Sequence, residues 1–264
     1  MSTAAINGIT IGYDDEGDHG TDDVLVLVHG HPFDRSMWRP QVEHARSLGW
    51  RVIAADLRGY GESTVVPGVT PLSTFAEDIV GLADHLGVER FVLGGLSMGG
   101  QIVLECVRQF PGRIRGLVLA DTFAQAETPE GRGSRNDMAD RLLREGMAGY
   151  AAEVLWKMVA PHNTEAAEHV SRMMRAAPPD GAAAALRGRA QRPDYTPVLG
   201  KVTVPTLVVV GSHDEFTPVT DARYLHDRIP GSTLVVLDGA AHLPNLERPA
   251  EFGAALETLL AALR

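Results

Sequence analysis

Six short apolar runs, at 24–28, 51–55, 91–93, 117–120, 206–210 and 233–237, do most to limit what this chain can fold into. Each is too short for a helix, and none alternates polar with apolar residues, the pattern of strands covered on both faces. Amphipathic stretches at 38–48, 74–86, 98–110, 222–228 and 250–263 separate or follow them. This alternation predicts an α/β chain, with a mostly parallel sheet and helices on both faces. The opening segment 5–13 does alternate, and predicts an antiparallel hairpin at a sheet edge.

The rhythm stops between 123 and 196, where no strand-like run occurs. That interval holds Met138, Met147, Met158, Met173, Met174, Trp156 and the alanines 182–185. It predicts several helices inserted between two core strands. The core domain is then 1–122 with 197–264, and 123–196 is a helical lid over the C-terminal edge of the sheet.

The third run leads into Gly94-Gly95-Leu96-Ser97-Met98-Gly99-Gly100, and a helical pattern follows. Strand, sharp turn and helix with a serine at the apex form a nucleophile elbow, in which small residues two positions either side let strand and helix pass closely. The serine then stands at a helix N-terminus, where developing negative charge is favoured. A phosphate-binding loop would need Lys-Ser/Thr after its last glycine, and Gln101-Ile102 stands there instead.

Serine is a weak nucleophile without a base. Of ten histidines, His242 has the best setting: a loop beginning at Gly239, after the last apolar run and before the last helical stretch. Asp214, just past the run 206–210, is the matching acid, and Ser…Asp…His is the chain order such elbows use. Asp121, at the end of the run 117–120, competes with Asp214 for that role. Oxyanion donors are expected from the backbone N–H groups of His31 and Met98, because Pro32 has none to give. His29 reads as support for its turn. The stretch Asp56-Leu57-Arg58-Gly59-Tyr60-Gly61-Glu62-Ser63 reads as structural, with Arg58 holding loops together; Ser63 lacks an elbow.

Lys+Arg 24 against Asp+Glu 34 gives a net charge of −10 with no basic block, which argues against a nucleic-acid partner. No stretch approaches the roughly 18 apolar residues of a membrane span, and the N-terminus lacks a signal-peptide pattern. The expectation is a cytoplasmic protein without a membrane partner, monomeric or homodimeric. The single cysteine, Cys106, has no disulfide partner within the chain and reads as a small buried apolar residue.

Taken together, these residues resemble the α/β-hydrolase superfamily across 24–260. The elbow Gly95-Leu96-Ser97-Met98-Gly99-Gly100, the spacing from His29 to Met37-Trp38, the stretch Ala241-His242-Leu243-Pro244-Asn245-Leu246-Glu247-Arg248-Pro249 and the lid stretch Ala176-Ala177-Pro178-Pro179-Asp180-Gly181 are similar to 3-oxoadipate enol-lactonase-like proteins and small bacterial serine esterases. The resemblance implies the α/β-hydrolase fold, with a mostly parallel eight-stranded sheet, helices on both faces and an inserted lid. It implies Ser97, His242 and Asp214 as a triad, an oxyanion hole at His31 and Met98, and hydrolysis of a small carboxylic ester or lactone through an acyl-enzyme. No metal and no organic cofactor is implied. Carbon–carbon bond hydrolysis and cofactor-free perhydrolysis can run on the same triad, and a non-catalytic ligand-binding protein can share the scaffold. Dehalogenases and epoxide hydrolases carry aspartate at the elbow, and Ser97 argues against both. Phe33, Trp38, Met98, Phe123, Trp156 and Leu243 are the expected pocket. Five arginines between 172 and 192, against one acid, Asp180, read as a solvated helix face rather than a site for an anionic substrate.

Overall fold

The computed structural model describes residues 2–264. Its eight strands are β1 (Ser2–Ile6), β2 (Ile9–Glu16), β3 (Val24–Val28), β4 (Arg51–Ala55), β5 (Phe91–Leu96), β6 (Ile114–Ala120), β7 (Thr206–Gly211) and β8 (Thr233–Leu237). They form one sheet in the order β1-β2-β4-β3-β5-β6-β7-β8. The hairpin β1–β2 is antiparallel and joins β4 antiparallel; every other pairing is parallel. The alternating segment at the N-terminus is thus the edge hairpin, and the unbroken runs are the parallel strands, buried on both sides.

One expectation fails in detail. The run 233–237 does not form a fully buried strand: β8 is the outer edge strand, and Val236 is 41% exposed. An edge strand has one neighbour, so its apolar side chains are only half covered.

The helices α1 (Arg39–Ser47), α2 (Leu72–His85) and α3 (Met98–Gln109) cross between strands of the first half. Then α4 (Pro129–Glu145), α5 (Met147–Met158), α6 (Thr164–Ala176) and α7 (Pro179–Ala190) fill the interval between β6 and β7, with the short α8 (Thr196–Leu199) closing it. The second half adds α9 (Val219–His226), the short α10 (Pro244–Glu247) and α11 (Pro249–Ala261). α1 packs on α11, and α2 on α3. Trp38, fully buried, sits in this core with its ring 6.1 Å from that of Phe252. Cys106 is buried within α3. Among the described residues no helix is long and apolar enough to cross a membrane.

The alanine-rich stretch has a packing reason. α7 meets the core backbone to backbone: a Cβ on Gly181 would lie 1.9 Å from the Gly59 carbonyl oxygen, and one on Gly188 would lie 1.7 Å from that of Thr70. The Thr70 N–H donates to Ala184 O at 3.0 Å. Only small side chains permit such an approach. The loop it presses on is held from beneath. Arg58 makes two 2.8 Å bonds to Asp78, the Ser63 hydroxyl donates to Asp56 O at 2.7 Å, and the buried Asp56 pairs with Arg35. The structural reading of 56–63 fits these contacts.

Candidate active site

Ser97 stands between β5 and α3 with φ 57° and ψ −116°. Non-glycine residues occupy that region only under constraint, and the constraint here is steric and polar together. A Cβ at Gly95 would lie 2.4 Å from Gly99 O, and one at Gly99 would lie 2.2 Å from Val28 O. The Ser97 N–H donates to Ala120 O at 2.9 Å, and the Thr122 hydroxyl donates to Ser97 O at 2.8 Å. Strand, turn and helix are therefore packed as closely as the elbow requires. Met98 opens α3, so its N–H has no partner within the helix.

The turn after β3 lies against this serine: a Cβ on Gly30 would sit 3.3 Å from Ser97 Cβ. His29 is buried beneath it. Leu57 N–H donates to its Nε2 at 2.9 Å, which leaves Nδ1 to carry the proton toward Gly30 O, 2.8 Å away. Burial lowers its pKa, in keeping with a neutral ring that braces the turn. His31 is also buried, with Nδ1 2.7 Å from the Tyr60 hydroxyl. Burial, then the nearby Arg189 and Arg135, hold its pKa well below the usual histidine value.

His242 follows β8, and Asp214 follows β7. Nδ1 of His242 lies 2.8 Å from Asp214 Oδ2. The Asp214 carboxylate also receives the N–H groups of Phe216 and Thr217 at 2.8 and 3.2 Å, and the Thr217 hydroxyl. Burial alone would raise its pKa. The His242 ring and the bonds from His242 and Thr217, with Asp121 close by, outweigh burial, and the net shift is downward. The His242 loop is fixed from behind by Glu247, whose carboxylate accepts from the N–H groups of Ala241 and Ala160 and from Asn163. The His242 N–H donates to Met158 O at 3.1 Å.

Asp121 shares this cluster, with φ 44° and full burial. Its Oδ1 accepts the Gly211 N–H at 3.0 Å. Burial, then the Asp214 charge, hold its pKa well above the usual carboxylate range. The two acids are shifted in opposite directions, Asp121 toward its neutral form and Asp214 toward its ionised form. Asp214 bonds the imidazole, and Asp121 is its buried neighbour. Ligating atoms of Asp121, Asp214 and His242 all lie within 4.8 Å of one another. The donors already directed at Asp214 make this a hydrogen-bonded cluster rather than an open set of metal ligands.

Ser97 and His242 line one cavity of about 370 Å³, together with His31, Phe123, Met138, Tyr150, Met158, Leu186 and Phe216. Among the described residues no hydrogen bond joins the Ser97 hydroxyl to the imidazole. His242 Nδ1 faces Asp214, which leaves Nε2 as the nitrogen for the serine, and such bonds often tighten only with substrate bound.

Of the expected pocket residues, Phe123 is on the cavity wall. Phe33, Trp38 and Leu243 are not: all three are essentially inaccessible, packed into the core. Trp156 is 51% exposed and lines a separate surface groove with Leu155, Ser171 and Arg175. Met98 is fully buried and absent from the wall. Aromatic bulk near a motif is more often core than pocket. Sequence reasoning missed Tyr150, Leu186, Thr217 and Glu247, and it missed Arg135 and Arg189, which also line the cavity.

The arginine-rich segment divides by helical phase. Arg187 faces outward to Asp140 at 2.6 Å, whereas Arg189, two residues on, is buried. Two helical residues are about 200° apart, so the spacing in α7 is the signal that separates them.

The alpha/beta hydrolase fold family matches residues 23–249. A 3-oxoadipate enol-lactonase of Acinetobacter baylyi is 30% identical over 232 residues, covering 86% of this chain and 85% of that protein. A thermophilic esterase from Thermogutta terrifontis, solved with malate bound, superposes with a TM-score of 0.94 at 37% identity, covering 99% of this chain and 98% of that one. The enol-lactonase from Burkholderia xenovorans LB400 superposes at 0.90 with 30% identity, covering 98% and 100%. A strained serine at a strand–helix elbow and matches over nearly the whole length lead to one conclusion: this chain belongs to the α/β hydrolase fold family.

Proposed function

We propose that the protein is a serine hydrolase that cleaves a small carboxylic ester or lactone through an acyl-enzyme. The observation that carries this reading is the convergence on one cavity of Ser97, held at φ 57°, and of His242, whose far nitrogen is bonded to Asp214. The enol-lactonase and esterase relatives support the same class of bond.

In this mechanism His242 Nε2 takes the Ser97 proton as Oγ attacks the carbonyl carbon. Asp214 fixes the tautomer and stabilises the imidazolium that forms. The N–H groups of Met98 and His31 receive the oxyanion. The imidazolium then protonates the departing alkoxide, giving the alcohol and an ester on Ser97. Water, deprotonated by His242, attacks that ester and releases the acid. Helices α4–α7 act as the cap that encloses the acyl group, and Phe123, Met138, Tyr150 and Leu186 contact it.

The test is turnover of 4-nitrophenyl acetate, with Ser97→Ala as control, together with mass spectrometry after a fluorophosphonate probe. Turnover by the wild-type protein, its loss in Ser97→Ala and a single adduct on Ser97 are expected. An unlabelled Ser97, or equal rates in the two proteins, overturns the proposal.

A further inference from the structure

The cap and the loop that carries the base meet on one buried carboxylate. Glu247 closes the short helix α10 and is 6% exposed. Its Oε1 accepts the N–H of Ala241, the residue before the base, at 2.8 Å. Its Oε2 accepts the Ala160 N–H at 2.9 Å and Asn163 Nδ2 at 2.6 Å, and both residues lie in the turn between α5 and α6. Among the described residues no Lys, Arg or His side chain pairs with it. Three N–H donors take the place of a counter-ion, the condition under which a carboxylate can be buried.

Further bonds cross the same junction. The His242 N–H donates to Met158 O at 3.1 Å, and Met158 is itself on the wall of the cavity that Ser97 lines. Arg248 Nη1 donates to Asn163 Oδ1 at 3.2 Å, and its Nη2 lies 3.2 Å from His162 Nε2. Residues 158–163 of the cap are thus bonded to residues 242–248 of the core. The N–H groups of Ala241 and His242 both end on this junction, so it fixes the backbone from which the imidazole projects. That ring must face Asp214 on one side and the serine on the other, and a misplacement of about 1 Å can cost about 10²-fold in rate.

We propose that Glu247 is a positioning residue through which the cap sets the base: His242 stands in its productive place only while the turn between α5 and α6 is docked on that carboxylate. This rests on the hydrolase reading for the role of His242. The junction needs both oxygens as acceptors. An amide has one, so glutamine at 247 must turn its NH2 group against an N–H on one side. The Oε2 side brings two donors and the Oε1 side one. The amide oxygen therefore stays with Ala160 and Asn163, and the NH2 faces the Ala241 N–H. The base loses its hold although no group that touches substrate has changed.

The test compares kcat and KM for 4-nitrophenyl acetate in wild type, Glu247→Gln, Asn163→Ala and the exchanged pair Glu247→Gln/Asn163→Asp, below the onset of melting of the weakest variant. In Glu247→Gln kcat is expected to fall by roughly 10- to 100-fold with KM held within about twofold. Asn163→Ala should lower kcat by a smaller factor, with KM again unchanged, although Asn163 is on the cap and away from the cavity wall. In the exchanged pair the carboxylate on the cap accepts from the amide NH2, which frees the amide oxygen for the Ala241 N–H, and most of the lost kcat should return. Wild-type kcat in Glu247→Gln or in Asn163→Ala, or no recovery in the exchanged pair, overturns the proposal and leaves ester hydrolysis standing. If the wild-type protein cleaves no ester, the hydrolase reading falls and the coupling is read from His242 itself. The low-field proton resonance of its Nδ1–H, which the bond to Asp214 produces, should shift or broaden in Glu247→Gln and return in the exchanged pair. An identical resonance in wild type and Glu247→Gln overturns the coupling whatever the turnover.

Discussion

Asp214 Oδ2 lies 2.8 Å from His242 Nδ1, while Oδ1 of the same carboxylate is held by the Phe216 and Thr217 N–H groups. The carboxylate cannot rotate away from the ring without breaking those bonds. In the proposed mechanism its function is orientation and tautomer control.

Asp214→Asn tests that function. The Oδ1 side would still accept the two backbone N–H groups, so the amide nitrogen would face His242 and Nδ1 would have to accept. The proton would then sit on Nε2, the wrong nitrogen for a base. We expect kcat on a chromogenic ester to fall by about 10⁴-fold with little change in KM. Steady-state kinetics check this; a loss below tenfold would show that another acid orients the ring.

Asp121→Asn tests the neutral neighbour. The folded protein holds the Asp121 pKa above its ordinary value. The stability from the protonated form is complete below the ordinary carboxylate value, and is lost as pH rises through the raised one. Asparagine keeps the acceptor for Gly211 and a donor toward Asp214, and it cannot ionise. We expect the variant to lose less Tm than wild type between pH 4 and pH 8, and to match or exceed wild type at pH 8. Parallel Tm profiles would contradict the assignment.

Gly181→Ala and Gly133→Ala form a matched pair. The first puts a methyl 1.9 Å from Gly59 O, and the second meets nothing within 4 Å on the exposed side of α4. Gly181→Ala should cost about 2 kcal/mol through the forced backbone shift, or about 5 °C in Tm. Gly133→Ala should stabilise by about 1 kcal/mol, because alanine is the better helix former. Thermal melts of both decide it, and equal shifts would contradict the close contact.

Leu186→Trp tests the cavity wall. The bulkier side chain fills part of the cavity of about 370 Å³ that Ser97 also lines. We expect kcat/KM across linear 4-nitrophenyl esters from acetate to octanoate to shift toward the shorter chains. Trp38→Ala, in contrast, should destabilise by about 3–5 kcal/mol as a core truncation. An unchanged chain-length profile in Leu186→Trp would remove that residue from the acyl site.

The sheet was legible because parallel strands must be apolar on both faces, and that pattern survives in the bare sequence at 24–28 and 51–55. It misled at β8, where a strand of the same composition has a neighbour on one side only. The elbow was legible because its geometry admits only glycine two positions either side of Ser97, and glycine is visible as a letter. Of the aromatic wall only Phe123 was legible. Trp38 and Phe33 stand beside a motif in sequence, yet their rings turn into the core, and side-chain direction is set by packing between distant segments. Arg189 was hidden among four exposed or paired arginines of the same segment until the phase of α7 separated it from Arg187.

The seam between α7 and the loop at Gly59 has a mechanical consequence. Backbone pressed on backbone leaves no side-chain layer to slide or compress, so α7 moves only with the sheet. Arg189 is carried on that rail, α4 packs along it, and α5 is tied to the core at its far end, where the His242 N–H donates to Met158 O. The stretch of cavity wall that α7 supplies thus keeps its spacing from Ser97 for as long as the sheet itself holds its shape.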